Sequence, residues 1–130
     1  MSKNYPMVEF IIYVEDQHRS RNFYEKILEM KPALDVPGMT EFLLNENAKL
    51  GIMPCSGIAK ILGEKLPNPS LAKGIPKCEL YLYVDNIDSR FKIALEAGAK
   101  LVSKIEKRNW GDKVCYFSDD DGNVIAFAEK

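Results

Sequence analysis

The chain nearly repeats itself. Glu9-Phe10-Ile11-Ile12-Tyr13-Val14-Glu15-Asp16 returns seventy positions later as Glu79-Leu80-Tyr81-Leu82-Tyr83-Val84-Asp85-Asn86. Each copy is rich in aromatic and aliphatic residues, as a strand requires, and ends in acidic turn residues that lead into an amphipathic segment. A duplicated unit of this kind must build the same supersecondary structure twice. Each copy also opens on a glutamate, and a carboxylate is costly in a strand unless it faces water, a ligand or a metal.

The remaining elements follow the same plan in both copies. The first strand covers Met7 to Val14, and Asp16 is placed to cap a helix from Gln17 to Met30, with Phe23, Ile27 and Met30 on one stripe. Pro32 ends that helix and Pro37-Gly38 marks a turn. Thr40 to Leu44 and Leu50 to Met53 read as strands around an Asn45-Glu46-Asn47 hairpin turn. In the second copy, Glu79 to Val84 is a strand. Asn86 caps a helix carrying Ile87, Phe91, Ala94 and Leu95, and Gly98 stops it. Lys100 to Ile105, Val114 to Ser118 and Val124 to Ala128 are strands, the last two joined by the Asp119-Asp120-Asp121-Gly122-Asn123 turn. The fold class is α+β, with two tandem βαβββ units over residues 7–53 and 78–129 of one 130-residue domain. Residues 54–77 are rich in Pro and Gly and form the connection, with room for one helical turn around Ile58 to Leu62.

Bulk properties exclude several function classes. A net charge of -1 and the lack of any Lys/Arg cluster give nucleic acid no foothold. No apolar run is long enough to span a bilayer or to serve as a signal peptide. Cys55, Cys78 and Cys115 show no metal-ligand spacing and read as free, partly buried thiols in a reducing, cytoplasmic setting. His18 is the only histidine and falls in the first turn of a helix, where exposure is expected. The three consecutive aspartates at Asp119 lack the spacing and the final glutamate of a calcium loop.

Alternation assigns the side chains to faces. Phe10, Ile12 and Val14, and in the repeat Leu80, Leu82 and Val84, form aliphatic faces expected to pack on the helices. The opposite faces carry Glu9, Ile11 and Tyr13, and Glu79, Tyr81 and Tyr83. A mixture of carboxylate, phenol and aliphatic groups suits a concave binding surface. Met53 shares a face with Gly51 as an adaptable wall, and Trp110, next to a turn, is placed to reach the mouth of such a cavity.

These residues carry a resemblance. The two βαβββ units, the Val84-Asp85-Asn86-Ile87-Asp88 helix entry and Leu95-Glu96-Ala97-Gly98-Ala99 at that helix's end belong to it. Above all, Trp110-Gly111-Asp112-Lys113-Val114 and Phe117-Ser118-Asp119-Asp120-Asp121-Gly122-Asn123 resemble the vicinal oxygen chelate superfamily, the group of glyoxalases, bleomycin-resistance proteins and extradiol dioxygenases. The resemblance covers almost the whole chain. It implies a curved mixed sheet around a cavity with helices on the outer face, and a homodimer. Metal-dependent members use four ligand positions, two per unit. Glu9 and Glu79 stand at the strand-opening positions. Gly51, or Ile52 after a one-residue shift in the hairpin, and Ala126 stand at the other two, and none of these three side chains offers a donor.

That departure sets the functional expectation. Two carboxylates without imidazole are a weak first shell for Zn²⁺ or Fe²⁺, while a loosely held hard cation such as Mg²⁺ is compatible with them. The expected reading is a metal-poor protein that binds a small organic molecule, with a resistance-type sequestering role as one form. Its expected ligand contacts are Glu9, Tyr13, Met53, Glu79, Tyr81, Tyr83 and Trp110. The alternative is a divalent-metal-dependent lyase, isomerase or dioxygenase in which Glu9 and Glu79 are the catalytic candidates. Three readings of the glutamates stay open: partners for a cationic or hydrogen-bond-donating ligand, a general base, or strand-end groups meeting solvent or a lysine.

Overall fold

A computed structural model describes residues 5–130. The elements run β1 (Val8–Val14), α1 (Gln17–Leu28), β2 (Leu34–Val36), β3 (Met39–Asn45), β4 (Ala48–Pro54), α2 (Cys55–Leu62), a 3₁₀ turn at Pro69–Ala72, β5 (Glu79–Tyr83), α3 (Ile87–Glu96), β6 (Lys100–Lys107), β7 (Lys113–Ser118) and β8 (Val124–Glu129). The chain forms two compact units. One holds residues up to Glu25 together with Met30–Leu71, and the other holds Lys26–Glu29 and Ala72–Lys130.

Each unit contains one four-stranded mixed sheet, and the strand order repeats: β1-β4-β3-β2 in the first, β5-β8-β7-β6 in the second. The opening strand of each unit pairs parallel with the closing one, β1 with β4 and β5 with β8, and every other pairing is antiparallel. The architecture is the α+β arrangement of tandem βαβββ units that the repeat implies. The sequence outline places no strand at Leu34–Val36. That strand is three residues long and exposed throughout, so it carries no alternation to read.

Local chemistry explains the boundaries. Arg19 N–H donates to Asp16 Oδ1 at 3.0 Å, and Ser89 N–H to Asn86 Oδ1 at 3.1 Å, so both expected caps hold their helices. Glu129 on β8 accepts the Ile87 N–H at 2.9 Å and covers a second free donor of α3. At the far end, Ala99 N–H reaches Ala94 O and Gly98 N–H reaches Leu95 O, with Gly98 at φ 90°, a glycine-terminated helix stop. α1 ends at Leu28, earlier than its apolar stripe suggests, and α2 occupies eight residues where one turn was expected.

The larger buried side chains sit on the faces the alternation assigned to the helices, with one correction. In the second unit Phe117, Ile125 and Phe127 are buried, the Phe91 ring of α3 lies 5.4 Å from Phe117, and Arg90 lies over Phe127. In the first unit Phe42, Leu50, Ile52 and Val14 are buried. Phe10, however, is in register with Leu50 and yet 70% exposed, with Val8 exposed beside it. The expectation that Phe10 packs on the helices fails because β1 is an edge strand, and only its Val14 end is covered.

Candidate functional site

In the second unit the mixed face is ordered in rows by strand register. Tyr81, Ala126, Tyr116 and Ser103 form one row, and Tyr83, Ala128, Val114 and Glu106 the next. The short side chains of Ala126 and Ala128 let Tyr81 and Tyr116 fold over the sheet, and with Val114 they make a small apolar cluster. The turn between β6 and β7 then delivers Asp112 and Trp110 to the same face. Arg108 N–H donates to Asp112 O at 2.8 Å and Gly111 N–H to Arg108 O at 3.0 Å, which fixes the turn.

Asp112 organises three aromatic rings. Its Oδ2 accepts the hydroxyls of Tyr81 at 2.8 Å and Tyr83 at 2.9 Å, and the Trp110 indole N–H donates to the Tyr81 oxygen at 2.8 Å. The Tyr81 and Tyr83 rings meet edge-on, 5.4 Å apart. Asp112 is 5% exposed, whereas Trp110 is 60% exposed and Tyr83 also opens to solvent. The polar ends of the rings are therefore anchored and the Trp110 ring is open, while Lys130 Nζ lies over the Tyr83 ring, 4.8 Å from its centroid; such a rigid aromatic group binds with small entropic cost. Burial and the neighbouring Asp112 carboxylate push the Tyr81 hydroxyl above the ordinary phenol range, against the indole N–H, which pulls the other way. For Tyr83 the hydrogen bond to Asp112 leads and burial adds to it. Both phenols are neutral donors at physiological pH.

The first unit holds a different arrangement. Glu9 on β1 lies within hydrogen-bonding reach of Glu41 on β3 and near Lys49 on β4, and Lys49 Nζ pairs with Glu41 Oε1 at 3.3 Å. Glu9 Oε2 is buried in the space above Gly51. A Cβ on that glycine would stand 2.5 Å from the oxygen and 2.9 Å from Ile11 Cγ1. No donor among the described residues meets this oxygen. Burial first, and then Glu41, raise the Glu9 carboxyl above its ordinary range, while Lys49 opposes the shift.

The residues expected from the sequence thus divide. Tyr81, Tyr83 and Trp110 come together around Asp112. Glu79, two positions before Tyr81 on the same face, is exposed. Tyr13 and Met53 are neighbours in register on the mixed face of the first sheet. Glu9 is separately engaged by Glu41 and Lys49. Asp112, Glu41 and Lys49 did not stand out in the sequence. A charged residue inside the Thr40–Leu44 strand is the same signal that singled out Glu9 and could have found Glu41. Asp112 reads only as a turn residue.

The donor set does not fit a resident metal. Gly51 offers no side-chain donor, Ala126 lies buried beneath tyrosines, and the Glu9 carboxyl, partly buried beside Glu41, is raised above its ordinary range. Among the described residues no three His, Cys, Asp or Glu side chains converge. His18 is exposed on α1, with Asn22 Nδ2 3.3 Å from its Nε2. Cys55 and Cys115 are buried and Cys78 is exposed, all three as free thiols. Burial pushes the Cys115 thiol up to about 11, which makes it a poor nucleophile.

Comparison with known proteins extends these observations. Residues 7–130 match the family model described as Glyoxalase-like domain. An uncharacterised protein of Mycobacterium bovis is 27% identical over 115 residues, covering 86% of this chain and 75% of its own. A glyoxalase-related enzyme from Fulvimarina pelagi superposes with a TM-score of 0.79 at 16% identity, over 95% of this chain and 87% of that one. A member of the glyoxalase/bleomycin resistance protein/dioxygenase superfamily from Sphaerobacter thermophilus does so at 0.72 with 21% identity, over 95% and 96%.

Proposed function

We propose that this chain, which belongs to the glyoxalase-like domain family of the vicinal oxygen chelate superfamily, is a metal-poor binder of a small organic molecule. The observation that carries the proposal is a chain of three linked rings: Tyr81 and Tyr83 on the buried Asp112 carboxylate, and Trp110 on the Tyr81 hydroxyl. A ligand with a flat apolar body meets pre-set aromatic faces there, without ordering side chains on arrival. Tyr13, Met53, Glu9 and Glu79 remain proposed contacts on the mixed faces of their own sheets. A sequestering role needs nothing more than this.

The competing reading, a divalent-metal lyase, isomerase or dioxygenase acting through Glu9 and Glu79, has less support, because Glu9 is engaged by Glu41 and Lys49. A cytoplasmic homodimer, as the family resemblance implies, belongs to the proposal, and light scattering reads the dimer directly.

The test uses Trp110, the only tryptophan of the chain, as reporter. A panel of small aromatic compounds should include ones that saturably change its emission, and Asp112→Asn should weaken their binding about tenfold by loosening both phenols. A panel that leaves Trp110 unmoved defeats the proposal.

A further inference from the structure

Arg108 is the group that the aromatic network leaves unexplained. It follows Lys107, which pairs with Lys113 across the β6–β7 hairpin, so alternation puts it on the face of Glu106, Tyr116 and Tyr83. Its guanidinium lies over the Tyr116 ring, 5.2 Å from the centroid, and Nη2 donates to Ser103 Oγ at 2.8 Å. The side chain is 27% exposed. The carboxylate in reach is Glu106, 4.0 Å from Nη2 and half exposed. Nε is buried and meets no acceptor among the described residues.

A guanidinium offers five donors in a planar fork, and taking it out of water is unfavourable unless acceptors return what is lost. Arg21 in the first unit shows the usual solution, since Glu25 and Asp35 flank it. Arg108 has one hydroxyl and one distant carboxylate. The rest of its environment stabilises a cation through the π-face of Tyr116 while keeping the fork rigid and partly open.

We propose that Arg108 anchors an oxyanion, a carboxylate or phosphate group, carried by the ligand whose aromatic body rests on Trp110. The inference rests on the binding role proposed above and names the class of molecule. The turn from Arg108 to Gly111 supplies both contacts, with the two residues two positions apart and the turn closed by its own hydrogen bonds. A cationic ligand fits less well, because the nearby buried carboxylate of Asp112 already accepts two phenol hydroxyls. Carboxylate and phosphate both match the guanidinium fork, so the shared chemistry is the oxyanion.

The experiment titrates the full chain with benzoate, phenyl phosphate, benzyl alcohol and benzylamine, and follows Trp110 emission. Benzoate or phenyl phosphate should bind at least about tenfold more tightly than benzyl alcohol, as one charge-assisted contact provides. The tighter of the two anions identifies the group. Arg108→Gln should bring the anions down to the level of benzyl alcohol. Equal affinity of benzyl alcohol and both anions for the unmodified protein overturns the inference, and this arm needs no variant to fold. Unchanged anion preference in a folded Arg108→Gln protein overturns it as well. If no compound, charged or neutral, moves Trp110, the binding role itself fails, which is a separate outcome.

Discussion

A carboxyl group beside a second carboxyl group avoids repulsion by holding a proton or by moving away. Glu9, buried in the space Gly51 leaves, is raised above the ordinary carboxyl range by burial and then by Glu41, with Lys49 opposing. The pH consequence has a definite sign. Well below its ordinary value of 4.5, Glu9 is protonated in folded and unfolded chains alike and contributes nothing to the pH dependence. Above it, the unfolded chain releases the proton first and the folded chain keeps it. The folded state then binds more protons, so stability falls as pH rises, until the folded group ionises too. Glu9→Gln keeps a donor for Glu41 and removes the charge. Its Tm at pH 7 should exceed that of the parent by roughly 1–3 °C, the shift that a few tenths of a kcal/mol produces in a chain of this size. The difference should close by pH 4. Thermal scans across this range decide it, and a variant less stable than the parent at pH 7 contradicts the raised carboxyl.

The β7–β8 turn shows what one element demands of its neighbours. Asp119 Oδ1 accepts the N–H groups of Asp121 and Asn123 at 2.9 Å each, and Gly122 stands at φ 84°. A Cβ at Gly122 would lie 2.3 Å from Gly74 O, a backbone atom that cannot swing aside. Gly122→Ala therefore combines a left-handed backbone with a clash and should cost about 1–3 kcal/mol, read as a lower denaturation midpoint. Gly74→Ala, with open space around its Cβ, meets the backbone penalty alone and should cost less. The same turn illustrates what the sequence discloses. Asp, Gly and Asn act locally, so the turn, the Asp16 and Asn86 caps and the Gly98 stop were legible from neighbouring residues alone. The approach of Gly74 to Gly122 was not, since nothing local encodes it. Register explains the other gaps. Alternation put Tyr81 and Tyr83 on one face, yet only the placement of the β6–β7 turn brings Asp112 to them. The meeting of Glu9 with Glu41 likewise depends on how β1, β4 and β3 pair. Phe10 was misread because alternation gives the face of a residue and does not say whether its strand lies at a sheet edge.

At the scale of the molecule, the question is whether the duplicated plan can hold a metal. The strand order of both sheets is the duplicated one, and the strand-opening carboxylates Glu9 and Glu79 keep their places in it. The side chains around them differ between the units, with Glu41 and Lys49 beside Glu9 in the first and tyrosines over Ala126 in the second. A metal bound to such a chain would have to draw Glu9 away from Glu41 and Lys49 or part those rings, and both costs come out of its affinity. Binding stabilises a fold by RT ln(1 + [L]/Kd), about 2.7 kcal/mol at a ligand concentration 100 times Kd. A tight site would therefore raise Tm by several degrees at modest metal concentrations. The expectation is the reverse. Protein purified without chelators should carry sub-stoichiometric transition metal by elemental analysis, and added Mg²⁺, Mn²⁺ or Zn²⁺ should move Tm by less than about 1 °C. One tightly held metal per chain would return the protein to the enzymatic reading. Glu9 would then have to leave Glu41 to serve as a ligand, and Glu9→Gln would abolish the metal.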